Sequence, residues 1–155
     1  MVNPSAHAKV ETRLSRSLLV GIAILSLAGM IVSSISLQRH YAKSATSYCE
    51  FGEKFNCDIV NRSEYSSVAG IPVSLIGVAG YGLLLTLSTL FRSRPETPTR
   101  LLAAAAAGLV FALYLTYIEA YVLTTWCILC LTSLALIASI TALAGVLKLR
   151  LATSS

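Results

Sequence analysis

Charge is scarce in this sequence. Asp, Glu, Lys and Arg make up 12 % of its 155 residues, about half the share usual in a soluble domain. Residues 18–37 carry none at all. With 55 % hydrophobic residues and a mean hydropathy of +0.74, that scarcity excludes an ordinary water-soluble protein and points to a lipid bilayer. Motifs of RNA or DNA recognition are absent as well. The net charge of +5, which in a soluble chain would suggest nucleic acid, therefore needs another cause, because membrane proteins collect Lys and Arg on their cytoplasmic side.

What is present is a series of apolar runs. Residues 18–37 are long enough to span a bilayer, and too long for the apolar part of a cleaved signal peptide. Residues 68–91 make a second span, with Pro72 near its start, where a missing amide hydrogen costs least, and Gly77, Gly80 and Gly82 for close helix contact. Residues 101–126 make a third, opening with the small residues Ala103 to Ala107, and 129–147 a fourth. The connection between the last two is so short that they form a hairpin. The fold expected is an all-α integral membrane protein: one domain over residues 1–155, a four-transmembrane-helix bundle.

Charge position gives the orientation. The N-terminal tail, the 92–100 connection and the C-terminal tail together hold eight basic and two acidic residues, whereas the 38–67 loop has four of each. Both termini are therefore cytoplasmic, the protein is multi-pass in the cell inner (plasma) membrane, and the 38–67 loop and the 127 region face outward. All four cysteines, Cys49, Cys57, Cys127 and Cys130, then meet on the oxidising side, although hydropathy and not cysteine position defines the spans. Within the loop, Ser63 followed by Glu64 and Ser66 predicts a short surface helix starting there.

Cys127 and Cys130 are three apart where one apolar run ends and the next begins. At a helix start they share one face of the first turn, where unpaired amides and the positive end of the dipole favour a thiolate. Cys130 is expected about 4 to 5 Å deeper than Cys127 from the helical rise. The outer thiol should then exchange with protein thiols, and the deeper one meet a membrane-borne oxidant. Cys49 and Cys57 sit in a loop able to move over them, as disulfide relay requires. The competing readings are a non-catalytic four-helix protein stapled by two static disulfides, a bundle transporting a small thiol, and a four-cysteine zinc site. The last is disfavoured because the Cys49 to Cys57 spacing is too wide for one of two tight pairs, and no metal is expected.

Cys49, then Cys57-Asp58-x-Val60 with Ser63 six after the second cysteine, Gly70-Ile71-Pro72-Val73-Ser74 with Gly77, and Trp126-Cys127-Ile128-Leu129-Cys130-Leu131-Thr132 resemble a bacterial homologue of the vitamin K epoxide reductase family, without a fused thioredoxin domain. The likeness covers about residues 18–147. In the other known quinone-linked disulfide generator the Cys-x-x-Cys precedes the loop pair, the reverse of the order here. The resemblance implies a quinone-dependent thiol oxidoreductase that generates disulfides. An extracytoplasmic thioredoxin-fold protein, here a separate chain, reduces Cys49/Cys57. These reduce Cys127/Cys130, and Cys130 passes electrons to a membrane quinone of ubiquinone or menaquinone type. Which loop cysteine attacks Cys127 stays open. Ser63 matches a family serine near the quinone. The chain departs from animal members at Val73 and Leu134, where those proteins carry an asparagine and a tyrosine as polar contacts to the quinone head group, and this argues against an epoxide substrate.

Two further features bear on the site. Glu119 lies inside the third span, about 10 Å below Trp126 by helical rise, where a carboxyl group is expensive enough to be a functional candidate. It is either a proton relay for quinone reduction or a neutral acid hydrogen-bonded to a tyrosine. Phe111, Tyr114, Tyr117 and Tyr121 follow helical spacing along one side, and the three tyrosines are candidate quinone-binding residues or simple packing.

Overall fold

A computed structural model describes residues 4–41 and 55–153, with side chains from residue 12 onward. Five helices dominate it: α1 (Pro4–Tyr41), α2 (Cys57–Arg62), α3 (Val73–Thr89), α4 (Thr97–Ile118) and α5 (Ile128–Thr153). Thr12–Tyr41, Thr97–Leu123 and Ile128–Thr153 are long and apolar enough to cross a membrane. Helix α3, also apolar, has 17 residues and is about 25 Å long at 1.5 Å per residue. The chain is an all-α membrane protein.

The four long helices close a ring: α1 packs on α3 and α5, and α4 packs on α5 and α3. Their shared core is Ile22, Tyr81, Leu84, Leu101, Ala105, Ile137, Ile140 and Ala144. Large apolar side chains also cover the outside, among them Ile24, Ile31, Leu83, Val110 and Leu113. A helix apolar on both faces belongs in lipid rather than water. With no hydrophobic drive between helices in lipid, close approach through small residues does the packing. At Gly29 an added Cβ would stand 2.3 Å from the Tyr81 ring, and at Gly77 one would stand 2.8 Å from Ser33 Oγ. Tyr81 then reaches past α1 to donate its hydroxyl to the Ser133 carbonyl of α5 at 2.9 Å.

Several boundaries differ from those expected. Helix α1 continues through the polar flank of the first run, since no proline or glycine interrupts it there. The second helix begins at Val73 rather than at 68, because Ser67–Val68 pairs antiparallel with Ile71–Pro72. The two residues between these short strands, β1 and β2, are Ala69 at φ 53° and Gly70 at φ 82°. Two successive positive φ values make the tight turn of a two-residue hairpin.

The loop carries an α-helix before Ser63, and the start expected at Ser63 opens a 3-10 turn. Asn56 caps α2, its side chain accepting from the amides of Asp58 at 3.0 Å and Ile59 at 3.2 Å. Asp58 in the first turn favours the same end. Ser63 closes the helix, and only a 3-10 turn, Glu64–Ser66, follows.

The third run does not stay helical to residue 126. After Ile118 it widens into a π turn, Glu119–Leu123, and Thr124 takes a left-handed φ of 48°. Residues 124–127 are non-helical, and the Thr124 and Thr125 amides both return to the Glu119 carbonyl.

Candidate functional site

That reversal assembles the site. Cys127 precedes α5, and its carbonyl accepts the Leu131 amide at 3.0 Å, so it occupies the N-cap position rather than the first helical turn. The loop is pinned against it by a parallel bridge between Phe55 and Trp126, with the Asn56 amide donating to the Trp126 carbonyl at 3.2 Å. One residue further on, α2 turns Cys57, Val60 and Asn61 inward, positions that share a helix face by their spacing of three and four. Cys57, Val60 and Cys127 form one buried cluster, against which Cys130 packs.

Cys127 is 0 % and Cys57 1 % exposed. The expected outward-facing Cys127 is thus covered by the loop helix. Cys57 is disulfide-bonded, whereas Cys127 and Cys130 are free thiols. Cys49 lies outside the described residues.

The straight helix that would put Glu119 about 10 Å below Trp126 is not kept. The π turn and the left-handed Thr124 fold the chain back, so Glu119 Oε2 accepts the Cys127 amide at 3.1 Å. A carboxylate oxygen of Glu119 and the sulfurs of Cys127 and Cys130 all lie within 4.8 Å of one another. The acid is 2 % exposed, and its partners are this backbone amide and the Cys130 thiol, not a tyrosine. Its Oε1 has no partner among the described residues. These three side chains are also a group with metal-ligand spacing, but they offer three ligands where a structural zinc site takes four.

The Cys127 thiol is held below the ordinary thiol range. The Cys130 thiol hydrogen-bonding to its sulfur does most of this, with help from the backbone N–H groups of Cys130 and Leu129, against the opposite push of burial and of Glu119. Cys127 is therefore the thiol of the pair prepared as a nucleophile or leaving group.

A cavity of about 370 Å³ opens on the other side of Cys130. Cys130, Glu119, Ser63 and Phe111 line it, and Cys127 does not. Its walls are mainly apolar with a few polar groups, the character of a site for an apolar ring with polar edges. The expected aromatic wall splits. Phe111 faces the cavity, but Tyr114, Tyr117 and Tyr121 are 54 %, 56 % and 74 % exposed, and none of them lines it. The reason is rotational: Ala104, Ala107, Gly108, Phe111 and Leu115 make the inward stripe of α4, and at 100° per residue Tyr114 turns roughly 80° and Tyr117 roughly 140° from its centre, while Tyr121 lies in the π turn. Ser63 does reach the cavity, with its hydroxyl hydrogen donated to the Val60 carbonyl at 2.8 Å. Val73 lines the cavity, and Leu134 is not among its lining residues.

Sequence reasoning missed Asn56, Asn61, Ser36 and His40. Asn56 carried a readable signal, a capping residue followed two positions later by an acid. The other three meet only in three dimensions: Ser36 Oγ donates to Asn61 Oδ1 at 2.8 Å, and the His40 ring nitrogen Nδ1 bonds the Asn61 carbonyl at 2.6 Å. The sequence profile of the vitamin K epoxide reductase family matches residues 20–144, a stretch that contains every element of this site.

Proposed function

This chain belongs to the vitamin K epoxide reductase family, whose members are in general quinone-linked disulfide oxidoreductases, and we propose that it makes disulfides in an extracytoplasmic thioredoxin-fold protein and delivers the electrons to a membrane quinone. The protein works as one domain of four spans in the plasma membrane, α3 with its preceding hairpin serving as the second. Both termini are cytoplasmic, and the cysteines face outward.

The observation that carries this reading is the division between two cysteines three residues apart. Cys127 is buried against Cys57 under the loop helix, and Cys130 lines the cavity. In the relay, a thiol of the partner attacks the Cys49–Cys57 disulfide, and the partner's second thiol resolves that bond to leave the partner oxidised. Reduced Cys57 attacks Cys127 of the Cys127–Cys130 disulfide and releases Cys130 as a thiolate. Cys49 then closes on Cys57, leaving the Cys127–Cys130 dithiol. The quinone, of ubiquinone or menaquinone type, supplies the oxidising equivalents, taking two electrons and two protons as that dithiol closes again. Glu119, against both sulfurs and on the cavity wall, holds and relays the protons that the thiols release. Ser63 borders the same space with its oxygen lone pairs. Free thiols at Cys127 and Cys130 support this relay over static staples.

Replacing Cys130 by Ala tests it. The expected result is a folded protein in which quinone reduction is lost while the loop disulfide still exchanges with a reduced thioredoxin-fold protein. Full quinone turnover by Cys130→Ala would sink the relay.

A further inference from the structure

A quinone carbonyl can only accept hydrogen bonds, so a head group in this cavity needs a donor from its wall. Of the eight hydroxyl side chains that line it, four have already given theirs away. Ser36 donates to Asn61 Oδ1, Ser63 to the Val60 carbonyl, Ser66 to the Ser63 carbonyl, and Tyr81 to the Ser133 carbonyl. Asn61 is different. It lines the cavity and is 6 % exposed, yet its side-chain nitrogen Nδ2 is buried without a hydrogen-bond partner among the described residues. The rest of the residue is fixed: Oδ1 is held by Ser36 of α1, and the main-chain carbonyl by His40 of the same helix. A buried amide anchored at two points and left with an unused donor is an unfavourable arrangement unless something else completes it.

We propose that the Asn61 side-chain amide donates a hydrogen bond to a carbonyl oxygen of the quinone and so sets quinone affinity, from the loop helix rather than from the membrane spans. The inference rests on reading the cavity as the quinone site. It also gives the loop helix a double role. Helix α2 carries Cys57 toward Cys127 and Asn61 toward the cavity on one face, so the thiol relay and the acceptor site are set by the same six-residue element.

The test uses full-length protein in detergent, a short-tailed benzoquinone as the probe and dithiothreitol as the thiol donor. Quinone binding is read from quenching of Trp126, the one tryptophan in the chain, and turnover is read separately. Asn61→Leu is expected to weaken quinone binding and raise the quinone KM by about tenfold, the scale of one lost hydrogen bond to a ligand, with the dithiothreitol KM unchanged. Asn61→Gln, which restores an amide, is expected to recover part of the affinity. Unchanged binding in Asn61→Leu, or equal weakening in both variants, would overturn the proposal. A measurement without substitution covers the case of a variant that does not fold. The chain has three asparagines, so nitrogen-15 labelling of asparagine isolates three side-chain amide signals, and the Asn61 amide protons are expected to shift on adding the quinone. Their failure to move while Trp126 is quenched would also overturn it. Absence of any quenching in the unsubstituted protein is a separate result, which overturns the functional reading itself.

Discussion

The carboxylate of Glu119 accepts the backbone amide hydrogen of Cys127 at 3.1 Å, across eight residues of chain. The bond ties the end of α4 to the start of α5. It leaves the other oxygen, Oε1, without a partner among the described residues at the cavity wall. In the proposed relay this one acid both fixes the position of Cys127 and takes a proton, and the two roles separate by substitution.

Glu119→Gln keeps an oxygen to accept the Cys127 amide but cannot carry a proton. Its expected effect is a fall in quinone turnover of about a hundredfold, the lower end of what a positioned proton-transfer group contributes, with little loss of stability. Glu119→Ala also strands the buried amide, and it should lower stability by about 1 to 3 kcal/mol. Thermal unfolding alongside steady-state quinone reduction checks both. Equal turnover in Glu119→Gln and the unsubstituted protein would remove Glu119 from the proton path.

The Cys127 thiol is lowered chiefly by the Cys130 thiol, so its thiolate should persist to lower pH than an ordinary cysteine's. Removing that donor works in the opposite direction: in Cys130→Ala the midpoint for Cys127 should rise toward or past the ordinary thiol value. Ultraviolet absorbance of the thiolate across a pH titration, with Cys127→Ala as the blank, reads the shift directly. A midpoint that does not rise would mean the Cys130 hydrogen bond is not the cause.

Gly29 touches the Tyr81 ring so closely that a Cβ there would stand 2.3 Å from it. Tyr81 cannot swing aside freely, because its hydroxyl is bonded to Ser133 of α5. Gly29→Ala must therefore push α1 and α3 apart, with an expected loss of about 1 to 3 kcal/mol. Thermal unfolding in detergent measures it. Gly80→Ala, where no atom lies within 4 Å, should be far milder.

Much of the architecture was legible in the chain itself. Uninterrupted apolar length identifies a helix able to span a bilayer, since nothing else buries such a run. The spacing of Cys127 and Cys130, and the order of the loop cysteines before them, marked the family to which the chain belongs. Periodicity failed where the backbone left the α-helix. The wide turn at Glu119–Leu123 and the left-handed Thr124 leave no mark in an apolar pattern, so a straight helix places Glu119 far from the sulfurs it touches. For the tyrosines the spacing was right and the facing wrong, because an aromatic stripe looks the same from sequence whether it meets lipid or a cavity.

The amino-acid sequence by itself determined the class of the protein, its long apolar helices and the pairing of Cys127 with Cys130 at a helix start, because hydrophobic length and cysteine spacing are local properties. Only the tertiary structure decided which thiol faces the loop and which the cavity, that Glu119 reaches the Cys127 amide, and that the Asn61 side-chain nitrogen has no partner among the described residues. Those relations depend on a chain reversal and on contacts between residues as far apart as Ser36 and Asn61, and no local pattern encodes them.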